Sequence, residues 1–303
     1  MPKTLVVLTG PTGVGKTTLS IEIARHFNAE IVSCDSRQLF KELSIGTAVP
    51  SKKELEAVPH HLIQTHSITD NYNASRYEQE ALEIIKSLFE KHNILLLVGG
   101  SMLYIDAVCK GIDTMPDADP EIRKALKVQL ETNGIESLRL QLKQLDLEYY
   151  RKVDLKNHAR IIHALEICIM TGKPYSTFRT NPQKKRPFKI IKIGLNTDRE
   201  ILHQRINMRV DEMVKHGLIE EARNVYPLKH LNALNTVGYR ELFDWFDGKT
   251  SKEKAIELIK RNSRRYARKQ ITWFRRDEQM QWFAPDEKTA ILTHITQQIG
   301  KNG

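Results

Sequence analysis

An octapeptide, Gly10-Pro11-Thr12-Gly13-Val14-Gly15-Lys16-Thr17, constrains this chain more than any other feature in it. It matches GxxxxGK[ST], follows the apolar run 5–9 and opens the helix expected over Lys16–Phe27. In that setting the glycines let backbone N–H groups turn inward around a phosphate. The helix start adds partial positive charge, Lys16 a full one, and the Thr17 hydroxyl suits a Mg²⁺ ligand. The competing reading is a tight turn that holds nothing. The motif specifies a Mg-bound di- or triphosphate without specifying ATP. Further near-continuous apolar strands are expected over 30–33 and 94–98. The amphipathic helix Ala74–Lys91 lies between them, with Ala81, Leu82, Ile85, Leu88 and Phe89 on one face. That rhythm predicts a parallel sheet covered by helices.

The texture changes after Gly111. A Pro- and Asp-rich run at 115–120 reads as a linker or helix entry, and helices are expected over 122–130, 135–145 and 159–170. A polar, basic stretch then leads to a resumed strand at 190–195. The expected fold class is therefore α/β, a P-loop-type parallel sheet core with an all-helical insert. The core takes 1–114 and 188–303, and the insert 115–187. Helices follow at 199–216, 218–226, 241–246 and Lys252–Phe274. At 303 residues, 40% of them hydrophobic, such a chain can bury a full core. No apolar run approaches the roughly 20 residues of a membrane span, and the N-terminal run lacks the anatomy of a secretory signal. Cys34, Cys109 and Cys168 are far apart and form no CxxC pair. Neither a disulfide framework nor a cysteine zinc site is indicated, and a reducing cytoplasm is the expected compartment.

Acids and bases narrow the chemistry. A P-loop nucleotide hydrolase usually ends an apolar strand in an Asp that holds Mg²⁺. Here the run 94–98 ends in Gly99-Gly100-Ser101, while the second strand ends in Ser33-Cys34-Asp35-Ser36-Arg37-Gln38. Asp35 thus falls at the ligand-binding edge of the sheet as a metal ligand, a general base or a helix N-cap. Arg205 and Arg209 share a helix face, either toward an anion or in solvent. Lys plus Arg number 47 against 37 Asp plus Glu, a formal charge of +10 that suggests a polyanionic partner, RNA or DNA ahead of a membrane surface. Residues 260–276 hold eight basic side chains, no acid, and Tyr266, Trp273 and Phe274. This is either an RNA surface or a solvated helix whose aromatics are core. The helix is expected to stand apart from the phosphate loop. His60 and His61 read as a packed or hydrogen-bonded pair, with no partner at metal-ligand spacing.

Taken together, these residues resemble the bacterial tRNA dimethylallyltransferase family, whose members prenylate adenosine 37 beside the anticodon. The matching stretches include GPTGVGKT at 10–17, DSRQ at 35–38, PHHL at 59–62, LLVGGSMLY at 96–104 and NHARIIHALE at 157–166. QRINMRVDEM at 204–213, VGYRE at 237–241 and ARKQITWFR at 267–275 follow. Ser101-Met102 stands where the family often has Thr-Gly, and His158 and His163 where it often has Pro and Arg. The resemblance implies that the loop 10–17 holds dimethylallyl diphosphate with Mg²⁺, Thr17 being the protein's metal ligand. Asp35 would orient the N6 amine and take its proton, Ser101 would fix Asp35 or the adenosine, and Lys16, Thr17 and Arg209 would neutralise the departing diphosphate. Asp35, Ser36, Arg37, Gln38, Ser101, Arg123, Ala159, Arg160, Ile161, Ile162, His163, Gly238, Arg240, Arg264, Arg265 and Arg268 would contact the tRNA anticodon stem-loop. Base extrusion is expected, since a stacked adenine cannot present N6 to a buried prenyl group. The expected enzyme is a cytoplasmic monomer. The competing functions are a small-molecule P-loop kinase, which leaves the basic helix idle, and a non-catalytic RNA-binding module.

Overall fold

Strand β1 (Thr4–Thr9) is buried at every residue, with Leu5 and Val7 facing one layer of helices and Val6 and Leu8 the other. That two-sided burial is what its uninterrupted apolar sequence requires. The structure, a computed structural model, describes residues 2–113, 115–116, 119–180 and 183–300. Within the expected linker, Asp117 and Ala118 lie outside the described residues.

Five further strands and twelve helices follow among the described residues. Helix α1 (Lys16–Phe27) leads to β2 (Ile31–Ser33), α2 (Lys52–Ala57) and β3 (His60–His61). Then come α3 (Ala74–Lys91), β4 (Ile94–Gly99) and α4 (Met102–Lys110). A helical segment holds α5 (Pro120–Leu145), α6 (Leu147–Lys152) and α7 (His158–Thr171). After it stand β5 (Lys189–Leu195), α8 (Arg199–Lys215), α9 (Leu218–Val225), α10 (Tyr239–Phe246), α11 (Lys252–Phe274), β6 (Gln281–Phe283) and α12 (Lys288–Gly300). The sheet is all parallel in the order β3-β2-β4-β1-β5-β6. All strands therefore end at one edge, where the loops after β1, β2 and β4 lie side by side. The P-loop-type α/β core is thus as expected. The pieces not anticipated, α2, β3, α4, α6, β6 and α12, are mostly too short to carry a periodic pattern.

The chain divides into two compact units, Met1–Cys109 with Lys185–Gly303, and Lys110–Lys184. The seams fall at 110 and 184 rather than 115 and 187. The Lys184 N–H donates to the Lys110 carbonyl at 2.9 Å within the helical unit. In the other unit, Arg186 is tied to the carbonyls of Ala107 and Val108 and to Glu78. In the helical unit, α5 spans both helices expected there, broken by non-helical backbone at Gly134 (φ 72°, ψ 177°). Asp119 caps its start and Asn157 that of α7, and Leu126, Leu138 and Leu142 pack with Ile161, Ile162 and Leu165.

Two strand ends meet closely at the functional edge. The Cys34 N–H donates to the Val98 carbonyl at 2.8 Å, and the Ser101 N–H to the Cys34 carbonyl at 3.1 Å. A Cβ on Gly99 would lie 2.5 Å from the Cys34 carbonyl oxygen, inside contact distance. Gly99→Ala is therefore expected to part β2 from β4 and destabilise the fold by about 1–3 kcal/mol. A urea-unfolding midpoint equal to that of the parent would rule out this close approach.

Candidate active site

The phosphate loop follows β1 directly. Gly15 has φ 107° and starts α1 from the left-handed region, where a Cβ is penalised. The Lys16 ammonium donates to the carbonyls of Gly10 (3.0 Å) and Pro11 (2.9 Å). Burial brings its pKa down to about 8, with the Arg209 charge adding to the effect and Asp35 opposing it. Arg209 and Arg205 converge on this loop from α8. Arg209 donates to the Thr12 hydroxyl at 3.3 Å and Arg205 to the Val14 carbonyl at 3.4 Å. Of the two readings of this pair, the structure takes the one that faces the loop.

Contrary to the expectation from sequence, the basic helix α11 does not stand apart from the loop. Gln270 is 2% exposed, accepts from the Thr12 N–H at 2.9 Å and donates to the Gly100 carbonyl at 2.8 Å. One buried amide so joins α11 to the ends of β1 and β4. Its sequence signal is its place in ARKQITWFR, as one of two amides among the cations of 260–276.

Asp35 sits at the end of β2. Its Oδ1 accepts from the N–H groups of Arg37 (2.9 Å) and Gln38 (3.3 Å), so it caps a turn at 36–39 rather than the helix its N-cap alternative required. Oδ2 makes no hydrogen bond among the described residues and is available for other chemistry. Ser101 does not bind the Asp35 carboxylate. Its hydroxyl accepts from the Ser36 N–H at 2.8 Å and donates to the Ser36 hydroxyl at 3.0 Å, so it fixes the turn beside Asp35. Gln38 donates to the carbonyls of Thr47 (3.1 Å) and Ala48 (2.8 Å), steadying a turn in which Ala48 has φ 51°. Glu221 secures the same loop by accepting from the N–H groups of Ser44, Ile45 and Gly46 at 2.7–2.8 Å. The Tyr239 hydroxyl donates to Glu221 at 2.6 Å. Sequence reading missed Glu221, which lies outside every matching stretch, and met Tyr239 only as part of VGYRE.

Two cavities meet here. One, of about 630 Å³, is lined by Thr12, Gly13, Gly15, Lys16, Thr17, Arg205 and Arg209 at one side and by Ala48, Val49, Ile63 and Val98 at another. The second, of about 620 Å³, is lined by Arg37, Asn235 to Gly238, Arg240, Arg265, Arg268 and Lys269. Both include Thr12, Asp35, Thr47, Arg209 and Tyr266. A phosphate cradle with an apolar wall thus opens, past a carboxylate, on a strongly basic hollow.

A sequence profile described as IPP transferase matches residues 38–277. The chain belongs to that family. The tRNA dimethylallyltransferase 2 of Parabacteroides distasonis is 55% identical over 295 residues, covering 97% of this chain and 99% of the relative. The tRNA dimethylallyltransferase 1 of Bacteroides thetaiotaomicron is 56% identical over 292 residues, 96% of this chain and 95% of that one. Among solved structures, a tRNA isopentenylpyrophosphate transferase from Bacillus halodurans superposes with TM-score 0.71 at 33% identity, over 97% of this chain and 96% of that one. A eukaryotic dimethylallyltransferase crystallised acting on tRNA gives TM-score 0.71 at 27% identity, over 89% and 69% of the two chains.

Within this IPP transferase the residues expected to meet RNA divide into groups. Ser36, Arg37, Gly238, Arg240, Arg265 and Arg268 line the second cavity. Arg37 is also tied to the carbonyls of Asn232 (3.1 Å) and Ala233 (2.9 Å), and burial lowers its pKa. Arg264 instead turns to Asn207 of α8 and does not line that cavity. In the helical unit Ala159 and Arg160 are exposed, but Ile161 and Ile162 are core. Burial removes those two side chains as contacts, because α7 needs them against α5. Arg123 is paired with the fully buried Glu166, which also stands 3.6 Å from His163. Phe274 is core, whereas Trp273 is 37% exposed and its indole N–H donates to Asp106 at 2.9 Å. His60 and His61 bind the Val58 carbonyl and Glu30, and no group of three metal-ligating side chains exists among the described residues.

The depressed Lys16 pKa has a measurable consequence. An anion in the loop favours protonated Lys16, so binding takes up a proton wherever the free amine has lost it, above about pH 8. Affinity for a diphosphate monoester is expected to be flat below that pH and to fall by about tenfold per unit above it. Lys16→Arg should hold its affinity through the same window. Calorimetric titrations from pH 7 to 10 check this, and parallel profiles for the two proteins would contradict it.

Proposed function

We propose that this enzyme transfers the dimethylallyl group of dimethylallyl diphosphate to N6 of adenosine 37 in tRNA, releasing diphosphate. The observation that carries the reading is the junction of the two cavities at Asp35, with phosphate-binding groups on one side and basic groups on the other. The diphosphate would occupy the loop 10–17, against Lys16, Arg205 and Arg209, with the prenyl group toward Ala48, Val49 and Ile63. The anticodon loop would lie on the second cavity, its phosphates on Arg265, Arg268 and Lys269, and the extruded adenine would reach Asp35. Exposed residues of the helical unit, Arg160 foremost, would meet the anticodon stem, and Arg123 would meet it in the orientation Glu166 gives it. A small-molecule kinase would need the first cavity alone and leaves the second without a role.

In this reading Asp35 accepts the N6 proton at Oδ2 while Oδ1 stays bound to the turn. Ser101 keeps that turn in place through Ser36. Arg209 and Lys16 stabilise the negative charge that grows on the leaving oxygen. The Thr17 hydroxyl lines the diphosphate cavity and makes no hydrogen bond among the described residues, so it fits a Mg²⁺ ion that takes its remaining ligands from phosphate and water. Such an ion would neutralise the diphosphate. A monomer working in the cytoplasm completes the proposal. The direct test is incubation with labelled dimethylallyl diphosphate and bulk tRNA. Label in digested N6-prenyladenosine supports the reading, and its absence with both substrates bound refutes it.

Two substitutions separate the roles. Asp35→Asn keeps the turn acceptor but removes the base, so single-turnover rates at saturating tRNA should fall by about a hundredfold or more. Asn is also a good cap, so a near-parental rate would leave Asp35 with capping alone. Arg265→Gln with Arg268→Gln should weaken tRNA binding and reduce the log–log salt slope by roughly 0.7 per lost phosphate contact. Diphosphate affinity should hold, since neither residue lines the first cavity. An unchanged slope would make them solvated charges.

A further inference from the structure

Five residues line both cavities, and among the described residues Tyr266 is the only Phe, Tyr or Trp lining either one. It stands one helical turn before Gln270 on α11, on the same face. The two hydrogen bonds of Gln270 fix that turn against the phosphate loop, so the ring is held near the junction. Its hydroxyl has no hydrogen-bond partner among the described residues, so no such bond accounts for its position. Burial pushes the phenol up to about 12, with Asp35 adding and Arg37 opposing. The ring is therefore neutral at working pH, and its oxygen is a poor nucleophile toward an alkylating group.

We propose that Tyr266 is a further catalytic residue, whose ring face stabilises the positive charge on the dimethylallyl group between the two substrates. The proposal rests on the transfer reading above. In that transfer the C1–O bond breaks and its electron pair stays on the diphosphate. The N6 lone pair forms the new C1–N bond, and the N6 proton passes to the Asp35 carboxylate. Between bond breaking and bond making the allyl fragment carries positive charge shared by C1 and C3. An aromatic face attracts a cation through its quadrupole and forms no bond with it. The same charge must cross the space that the two cavities share, and the one such ring lines that space.

The test replaces Tyr266 by Phe as a reference, by 4-fluoro-, 3,5-difluoro- and pentafluorophenylalanine, and by Leu. Each addition of fluorine weakens the negative face of the ring while its shape is nearly kept. Single-turnover rates at saturating dimethylallyl diphosphate and tRNA are expected to fall in order along the fluorinated series. Leu should lie about three- to thirtyfold below Phe. Dissociation constants for both substrates and melting temperatures should stay level across the ring-bearing variants. A flat series, or Leu equal to Phe, would overturn the proposal, and the transfer reading would stand. A series that moves tRNA affinity and leaves the rate unchanged would make Tyr266 a stacking shelf for the adenine, which also overturns it. A parent protein that transfers nothing would overturn the transfer reading, and this proposal with it.

Discussion

A sheet whose strands all run one way, covered on both faces, leaves its unpaired backbone groups together at its carboxyl edge. In this chain that constraint assembles the site. β1 pairs with β4 from Thr4↔Ile94 to Thr9↔Gly99, and β2 pairs with β4 up to Ser33↔Val98. Strand pairing thus makes neighbours of the phosphate loop, Asp35 and Ser101, and the side chains of Ser101 and Gln270 tie them further. Register is fixed by alternate faces: a slip of one residue would exchange Leu5 and Val7 with Val6 and Leu8, whose partners lie in different helical layers.

The edge is charged against its own surroundings. Lys16, Arg37 and Arg209 are all cations that burial disfavours, and all three feel the single carboxylate of Asp35. Bringing Lys16 from 10.5 to about 8 corresponds to roughly 3 kcal/mol of lost preference for its charged form. An anion in the loop recovers that preference. Part of the affinity for a diphosphate is thereby built into the folded chain, at a cost in stability met by the two-sided core.

Much of this was legible beforehand because it rests on local chemistry. The glycine-rich loop, the apolar strands and the cation-rich α11 follow from residue type and spacing, and so did the positions of Asp35 and Ser101 at strand ends. What the residues do there was less legible, because partners come from distant sequence. Gln38 and Arg37 read as RNA contacts, yet Gln38 Nε2 and Arg37 Nη1 are spent on the carbonyls of 47–48 and 232–233. Ile161 and Ile162 lie inside a motif that otherwise offers exposed residues, yet a two-sided helix must bury one face. Glu221 gave no signal, since its three N–H donors come from a loop some 175 positions earlier. β3 and β6, at two and three residues, are strands only through their neighbours.

Helix α11 is where the two cavities are mechanically joined. Arg265, Arg268 and Lys269 line the basic cavity, and Gln270, next in sequence, is bonded to Thr12 and Gly100. A helix that is rigid over one turn cannot shift one of these faces and leave the other in place. Parting Gln270 from its partners would forfeit two hydrogen bonds of about 1 kcal/mol each, and more for an acceptor left buried and unpaired. A load on the RNA side is therefore either absorbed by the long arginine and lysine side chains or delivered to Thr12, whose hydroxyl also receives Arg209. Coupling of this kind is reciprocal in free energy. To whatever extent RNA holds the loop ready for a diphosphate, a diphosphate in the loop holds α11 ready for RNA.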